Sequence, residues 1–201
     1  MKRRAYLDQT YWSRPVPGFG DPAARLLVIG LAPGAHGANR SGRVFTGDRS
    51  GEFLYRALWE AGFANQPASV NRNDGLRLHD AYITSPVRCV PPGNKPTPTE
   101  IHTCRPYLIE ELALLSNVRL VVVLGGIALN AYLSVLQDAG HIAARLPFRF
   151  AHGATYDTHA GAPLVLASYH PSQQNTSTKR LTAEMLSAIF LRAKALIDKS
   201  Q

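Results

Sequence analysis

The sequence contains little cysteine, few acidic residues and no long apolar run. Its two cysteines, Cys89 and Cys104, are too few for a disulfide framework, so we expect a reducing, cytoplasmic compartment. No apolar run reaches the ~18 residues that a membrane helix needs, and the first residues do not have the pattern of a secretory leader. The sequence therefore predicts neither a disulfide-rich secreted domain nor a membrane partner.

The scarcity of acidic residues gives the chain an excess of positive charge. Fourteen Asp and Glu against 22 Lys and Arg leave a net charge of +8 at pH 7. An excess of this sign favours polyanionic partners such as nucleic acids, although basic proteins that bind no nucleic acid are common. The charge supports a nucleic-acid partner without identifying one.

The 201 residues are 45% apolar and contain no repeat, low-complexity tract or linker, so we expect one domain over residues 1–201. Residues 1–24 have no periodicity and should wrap over the surface as an irregular segment. Beyond them, short apolar segments alternate with helical ones, which predicts an α/β fold with a parallel sheet covered on both faces. The predicted strands are 25–29, 80–84, 118–125 and 163–168, and the predicted helices are 51–61, 99–115, 126–137 and 182–199.

Loops rich in Gly, Pro, His and Asn follow the first, second and fourth predicted strands. Parallel sheets bind their ligands in the crevice beyond the carboxyl ends of the strands. We therefore expect the functional site where these three loops meet.

The first loop, residues 30–48, reads GLAPGAHGANRSGRVFTGD and contains five glycines. It has no lysine for a Walker phosphate-binding motif, and it does not have the G-x-G-x-x-G spacing. A cradle for a flat ligand fits better, with Phe45 as a stacking ring, although the spacing alone also fits a core aromatic. Asp48 precedes a predicted helix, so it is either an N-cap or a catalytic acid.

The last loop contains His170, directly after a predicted buried strand. This position directs a charge-switching imidazole to the crevice; the alternative is a structural histidine that bonds to a neighbouring carbonyl. The other histidines, which are His36, His79, His102, His141, His152 and His159, do not have the spacing of a metal site. Cys89 and Cys104 by themselves would be two buried thiols.

Three segments of the chain resemble, in order, the diagnostic motifs of the family 5 (type B) uracil-DNA glycosylases. They are GLAPGAHGANRSGRVFTGD, PVRCVPPGNKPTPTE and SYHPSQQNTSTKRLT, and the ordered resemblance extends from about residue 4 to residue 186. The related family 4 enzymes have a Glu after the first Gly of the first motif, where this chain has Leu31. The resemblance is therefore to family 5.

The resemblance implies a four-stranded, three-layer α/β/α sandwich that acts as a monomeric, monofunctional DNA glycosylase. Such an enzyme flips a deaminated base, uracil and also hypoxanthine or xanthine, out of DNA and hydrolyses its N-glycosidic bond, which initiates base excision repair. Water attacks the sugar, and no cofactor is needed for that chemistry. The expected partner is DNA that contains uracil or hypoxanthine.

The matched motifs imply three catalytic residues. Asp48 would position or activate the water, Asn94 would contact the base or the reaction centre, and His170 would donate to the base oxygen that gains negative charge. Other families of uracil-DNA glycosylases handle the water with an Asp or Asn early in the first motif, where this chain has Ala32 and Pro33. Water activation is therefore expected from Asp48.

The motifs imply substrate-binding residues as well. Phe45 would stack on the extruded base, in a pocket lined by the backbone of Gly30, Ala32 and Gly34. Ser172 and Asn175 would belong, with Gln173 and Gln174, to a loop that enters the minor groove. Four basic residues flank these loops as suitable phosphate contacts, with solvated surface as the alternative for each: Arg40, Arg43, Lys179 and Arg180.

Family members bind a structural four-iron, four-sulfur cluster through four cysteines, two of them in an N-terminal C-x-x-C. Cys89 and Cys104 match the later pair, and no cysteine precedes Cys89. Either the cluster has been lost or a preceding segment is missing from this sequence, and we favour the missing segment. Because two thiolates cannot replace four, no cluster is expected for these 201 residues.

Two other functions remain open on the same fold. A nucleoside or nucleotide N-glycoside hydrolase would use the same crevice, and turnover of free deoxyuridine would identify it. A catalytically inactive DNA-binding module would bind abasic DNA without releasing uracil. The basic charge argues against the first, and the joint presence of Phe45, Asp48 and His170 argues against the second.

Overall fold

The computed structural model of the chain describes residues 4–158 and 161–199, so His159 lies outside the described residues. The described residues form a mixed six-stranded sheet with the order β1-β3-β2-β4-β6-β5. The strands are β1 (Phe19–Gly20), β2 (Leu26–Ile29), β3 (Ala81–Thr84), β4 (Leu120–Leu124), β5 (Thr155–Tyr156) and β6 (Leu164–Ser168). The four central strands are parallel, and the edge strands β1 and β5 are antiparallel to their neighbours.

The central strands form where the sequence has apolar runs without alternation. Every residue of β2 and β4 is buried, as is typical of parallel strands that are covered on both faces. The predicted α/β class and the four parallel strands are confirmed. The sequence does not predict the edge strands, because each has only two residues and no apolar run.

Four long helices match the predicted segments to within two residues at each end. The described helices are α1 (Ala38–Ser41), α2 (Arg49–Glu60), α3 (Pro98–Leu114), α4 (Gly126–Asp138), α5 (Gln173–Ser177) and α6 (Ala183–Lys199). A capping box of Thr97 and Glu100, with Pro98 in the first turn, fixes the start of α3. The short helices α1 and α5 lie in segments that the sequence predicts to be loops.

Helices α2 and α6 cover one face of the sheet, and α3 and α4 cover the other. Along β2, Leu26 and Val28 belong to the core beneath α2 and α6, whereas Leu27 and Ile29 belong to the core beneath α3 and α4. This alternation gives the predicted three-layer α/β/α sandwich its two apolar cores. Within the described ranges, no helix is long and apolar enough to cross a membrane.

The N-terminal segment, predicted to wrap over the surface, lies across the loop that follows β2. The backbone N–H groups of Trp12 and Ser13 donate to the carbonyl oxygens of Arg40 and Asn39, each at 3.2 Å. The Trp12 ring also covers Gly42, where a Cβ would lie 2.8 Å from Cδ2 of the indole. The segment therefore supports the first loop of the predicted site from outside.

Candidate active site

The loops that follow β2, β3 and β6 begin at the same edge of the sheet, because these strands are parallel. Backbone hydrogen bonds join neighbouring strand ends at this edge: Gly30 N–H, after β2, donates to the Thr84 carbonyl of β3 at 2.8 Å, and Gly125 N–H, after β4, donates to the Ser168 carbonyl of β6 at 2.8 Å. This edge is where α/β sheets bind their ligands. The three loops therefore all begin at the expected crevice.

Phe45 and His170, from the first and last of these loops, lie against each other. Their ring centroids are 5.7 Å apart, and the ring planes are tilted by 32°. Gly30 lies against the same Phe45 ring, since a Cβ at position 30 would be 2.7 Å from Cε2 of Phe45. Phe45 is half-buried and has a φ of 50°, which is uncommon for a residue with a side chain. The structure thus brings three predicted site residues together around one ring.

Asp48 caps helix α2 and also faces the glycines of the first loop. Its Oδ1 accepts a hydrogen bond of 3.0 Å from the Gly51 N–H, which confirms the N-cap interpretation. Its Oδ2 lies beside the loop, where a Cβ at Gly34 would be 3.0 Å away and a Cβ at Gly37 only 1.8 Å away. Burial raises the pKa of the Asp48 carboxyl, although hydrogen bonds from the backbone of Gly51 and Ser50 act in the opposite direction.

His170 is the second residue after β6 and is half-buried. Asn175 donates from Nδ2 to the carbonyl oxygen of His170 at 2.8 Å. Burial lowers the pKa of His170 to about 4, so the imidazole is neutral at pH 7. A neutral imidazole has one N–H to donate and carries no charge. It is therefore suited to donate a hydrogen bond to a ligand and not to act as a cation.

The four residues predicted for the minor-groove loop divide into two pairs. Ser172 caps α5 by accepting a 3.3 Å hydrogen bond from the Asn175 N–H, and the Asn175 amide binds the His170 carbonyl. Both of these side chains therefore bond to the backbone of their own loop. Gln173 and Gln174 are exposed, so this second pair is the one placed to reach a ligand outside the loop.

Asn94 and Ala32 are less closely tied to this group. Asn94 is exposed in a short 3₁₀ turn and has a φ of 56°, and Ala32 is half-buried within the first loop. Among the described residues, no hydrogen bond or ring contact joins the Asn94 side chain to Phe45, Asp48 or His170. The catalytic assignment of Asn94 stays a prediction.

The four predicted phosphate contacts differ in exposure. Arg43 is only 4% exposed and forms an ion pair of 2.8 Å with Asp74. Burial alone would raise the pKa of Asp74, but the hydrogen bonds from Arg43 and from backbone N–H groups lower it to about 2. The expected phosphate role of Arg43 is therefore wrong, because this guanidinium is buried and paired. Arg40 is half-buried, and Lys179 and Arg180 are exposed.

The sequence assigns no separate role to Gly37 or Gly51, yet both shape the site. Gly37 leaves room for the Asp48 carboxylate, and a Cβ at position 51 would lie 1.7 Å from the carbonyl oxygen of Phe45. Gly51 thus allows the first turn of α2 to approach the Phe45 backbone. The glycine-rich sequence indicates that the backbone approaches other groups closely, but it does not show which glycine lies against which side chain.

Cys89 and Cys104 are the residues that the family resemblance connects with an iron–sulfur cluster. Cys89 is exposed and Cys104 is half-buried, so the expectation of two buried thiols is wrong for Cys89. Desolvation, together with the neighbouring Cys104, raises the pKa of the Cys89 thiol. In residues 4–158 and 161–199, no group of three or more His, Cys, Asp or Glu could hold a metal ion. The residues present therefore do not fit a four-iron cluster, which needs four thiolates.

Comparisons of the sequence with a family profile and with individual relatives agree on one family. The sequence profile of the Uracil DNA glycosylase superfamily matches residues 17–194. A type-5 uracil-DNA glycosylase of Mycobacterium bovis is 54% identical over 197 residues, which cover 98% of this chain and 72% of the relative. A type-5 uracil-DNA glycosylase of Thermus thermophilus is 53% identical over 197 residues, which cover 97% and 86%. A further type-5 relative, from Pyrobaculum aerophilum, is 46% identical over 192 residues, which cover 96% and 80%.

Proposed function

The chain belongs to the uracil-DNA glycosylase superfamily and to its type-5 members, and from this membership we propose that it hydrolyses the N-glycosidic bond of uracil in DNA. The target nucleotide leaves the base stack before reaction, because the glycosidic bond is inaccessible within a duplex. Water is the nucleophile, so the sugar–phosphate strand stays intact. The product is an abasic site, which is the substrate of the later steps of base excision repair.

The observation that carries this proposal is the placement of His170 beside Phe45, with ring centroids 5.7 Å apart. A flat base that stacks on Phe45 has its edge beside the imidazole. As the bond to the sugar breaks, negative charge develops on the base oxygens. A neutral His170 donates its N–H to such an oxygen and stabilises that charge, and this stabilisation is absent in the ground state.

Asp48 serves the other half of the reaction, in which the sugar gains positive charge. Its carboxylate is held by the N–H of Gly51 and lies beside Gly34 and Gly37, which leaves it few ways to move. A carboxylate held in this way orients the attacking water and stabilises an oxocarbenium-like sugar. Because burial raises the pKa of Asp48, the carboxylate is also a better proton acceptor than an exposed one.

We extend the proposal to hypoxanthine and xanthine as further substrates. Stacking on Phe45 makes no distinction between pyrimidines and purines, since every base has a π-face. A single donor from His170 recognises a carbonyl oxygen, and all three deaminated bases carry one. These two contacts therefore accept a carbonyl-bearing base whether it is a pyrimidine or a purine.

The DNA partner is bound as a polyanion, and the enzyme acts as a monomer. The net charge of +8 supplies a long-range attraction. The exposed Lys179 and Arg180 follow the α5 loop that carries Gln173 and Gln174, so they contact phosphates next to the extruded nucleotide.

No step of the proposed reaction is assigned to a cofactor. The base, the sugar and the water are each handled by a side chain named above. Cys89 and Cys104 are proposed to be free thiols in these 201 residues. Iron and sulfide analysis of the purified protein tests this, and stoichiometric iron and sulfide would contradict it.

A glycosylase assay on duplexes that carry a single uracil or a single hypoxanthine tests the proposed activity. We expect release of the free base, with strand breakage only after alkali. Strand breakage without alkali would contradict a water nucleophile. Release of uracil without any release of hypoxanthine would restrict the proposal to uracil.

The same assay separates the alternative functions. Turnover of free deoxyuridine in preference to uracil in DNA would indicate a nucleoside hydrolase. Binding of abasic DNA without base release would indicate a DNA-binding module that has lost its chemistry.

A further inference from the structure

The turn that precedes β5, residues 151–154, lies against the end of β6 next to the site. Gly153 N–H donates to the Ala167 carbonyl at 2.8 Å, and Ala167 N–H donates to the Ala154 carbonyl at 2.9 Å. The Ala154 N–H donates to the Ala151 carbonyl at 3.2 Å, so His152 lies in a turn, beside the residue that precedes His170. That residue is Tyr169.

The acceptor of the Tyr169 N–H is a side chain and not a backbone carbonyl. The Tyr169 N–H donates to Nδ1 of His152 at 3.2 Å. The two rings are also stacked, with centroids 4.9 Å apart and only 5° between their planes. The Arg180 guanidinium lies 4.6 Å from the centroid of the same Tyr169 ring. The His152 side chain therefore contacts both the backbone N–H and the ring of Tyr169.

Side chains hold the chain on the other side of His170 as well. Asn175 donates to the His170 carbonyl at 2.8 Å, and Ser168 Oγ donates to the Tyr169 carbonyl at 3.0 Å. The backbone from Tyr169 to His170 is thus fixed at its N–H and at both of its carbonyl oxygens. His152 supplies the only one of these contacts that comes from outside the strand and loop of His170 themselves, among the described residues.

We propose that His152 is a positioning residue, which fixes the peptide before His170 and so keeps the His170 ring against Phe45. This inference rests on the proposed role of His170 in base release. Nδ1 of His152 must be unprotonated to accept the Tyr169 N–H. Burial, which lowers the pKa of His152, favours this form.

Two substitutions distinguish the contribution of the His152 acceptor from that of its ring. His152→Asn keeps an acceptor at the position of Nδ1 but removes the ring, whereas His152→Phe keeps a stacking ring but removes the acceptor. Because a displacement of about 1 Å at a reacting group costs up to ~10²-fold in rate, we expect His152→Phe to lower the single-turnover rate of uracil release by ~10- to 10²-fold. His152→Asn should stay within a few-fold of the unmodified protein.

The measurements are the single-turnover rate at saturating uracil-containing duplex, the affinity for undamaged duplex and the melting temperature. His141→Phe is the matched control, because His141 is an exposed histidine outside the site. His152→Ala replaces His152→Phe if the larger ring prevents folding, and the same rate loss is expected. An unchanged rate in His152→Phe, or an equal loss in His152→Asn, would overturn the inference.

A double variant separates failure of this inference from failure of the proposed function. If His152 acts through His170, His152→Phe combined with His170→Ala should be no slower than His170→Ala alone. A further loss in the double variant would show that His152 acts by another route. A normal rate in His170→Ala itself would overturn the proposed role of His170, and with it the role of His152.

Discussion

The carboxylate of Asp48 occupies the space that a Cβ at Gly37 would fill, since Oδ2 would lie only 1.8 Å from that Cβ. Gly37 has a negative φ of −101°, so the absence of a side chain matters here for space and not for a left-handed backbone. The first loop and the N-cap of α2 therefore fit together only while position 37 has no side chain.

Gly37→Ala should displace the Asp48 carboxylate. We expect a loss of about 1 kcal/mol in stability from the weakened N-cap, and a ~10-fold or larger fall in the single-turnover rate of uracil release. Gly126→Ala is the control, because a Cβ there would make an ordinary contact of 3.7 Å with Phe150. Equal effects of the two substitutions on the rate would contradict the role given to Asp48.

His170→Ala should affect chemistry more than binding. Loss of a donor to a developing oxyanion typically lowers the rate by ~10²–10³-fold, or about 3–4 kcal/mol. Affinity for uracil-containing duplex should fall much less, because the stabilised charge is absent before reaction. Single-turnover kinetics and a melting curve on the same sample test this. A normal rate with a lowered melting temperature would identify a structural histidine.

The lowered pKa of His170 should make stability depend on pH. Its folded pKa of about 4 lies below the ordinary value of 6.5. Between these values the unfolded chain binds a proton that the folded chain does not, so the free energy of unfolding should fall as the pH decreases from about 6.5 to about 4. Denaturant titrations at several pH values should show a shallower fall for His170→Gln. Some slope should remain, because burial lowers the pKa of His152 too.

Arg43→Met should destabilise the fold without altering the electrostatics of DNA binding. It removes the cationic partner of the Asp74 carboxylate, and breaking a buried ion pair in this way typically costs about 3–5 kcal/mol; the backbone N–H groups that still bond to Asp74 should keep the loss at the lower end. The double variant Arg43→Met with Asp74→Asn should recover part of this loss. At a temperature where the variant is folded, the dependence of DNA affinity on salt should match the unmodified protein. A reduced salt dependence would restore Arg43 as a phosphate contact.

Lys179→Gln should weaken DNA binding through the loss of one phosphate contact. The slope of log affinity against log salt should become shallower by about 1, at every DNA sequence tested. Arg56→Gln is the control, because Arg56 lies on α2 and pairs with Glu60 of the same helix. The same change of slope in both variants would mean a loss of net charge only.

The sequence predicts the central sheet well because the strands are buried on both faces. The run of Leu120–Leu124 has no polar residue, and its short length, its three valines and the glycines that follow it favour a buried strand over a helix. The edge strand Phe19–Gly20 has no such apolar run, and its extended conformation depends on its pairing with β3. Helix α6 is likewise predicted, and its buried residues recur at helical spacing: Leu186, Ile189, Phe190, Ala193 and Ile197.

The sequence predicts that the loops with Phe45 and His170 meet, but it does not predict the individual contacts around them. Phe45 and His170 are found from their positions in loops after buried strands, and the structure brings their rings together. The burial of Arg43 depends on Asp74, 31 residues later, and a sequence pattern does not reveal a pair at that distance. The contact of His152 with Tyr169 depends in the same way on residues far apart in the sequence, since it joins the turn before β5 to the end of β6.

The position of β6 inside the sheet has a consequence for how the protein is made. β6 is the last strand along the chain, but it lies between β4 and β5, and α6 packs over the core that β4 and β6 share. A chain that is still on the ribosome has Phe45 and Asp48 long before it has His170. Parallel pairing across a long connection is also a slow, non-local step of folding. Nascent chains therefore lack the contact between Phe45 and His170, and under the proposed function they release bases only when synthesis of the domain is nearly complete.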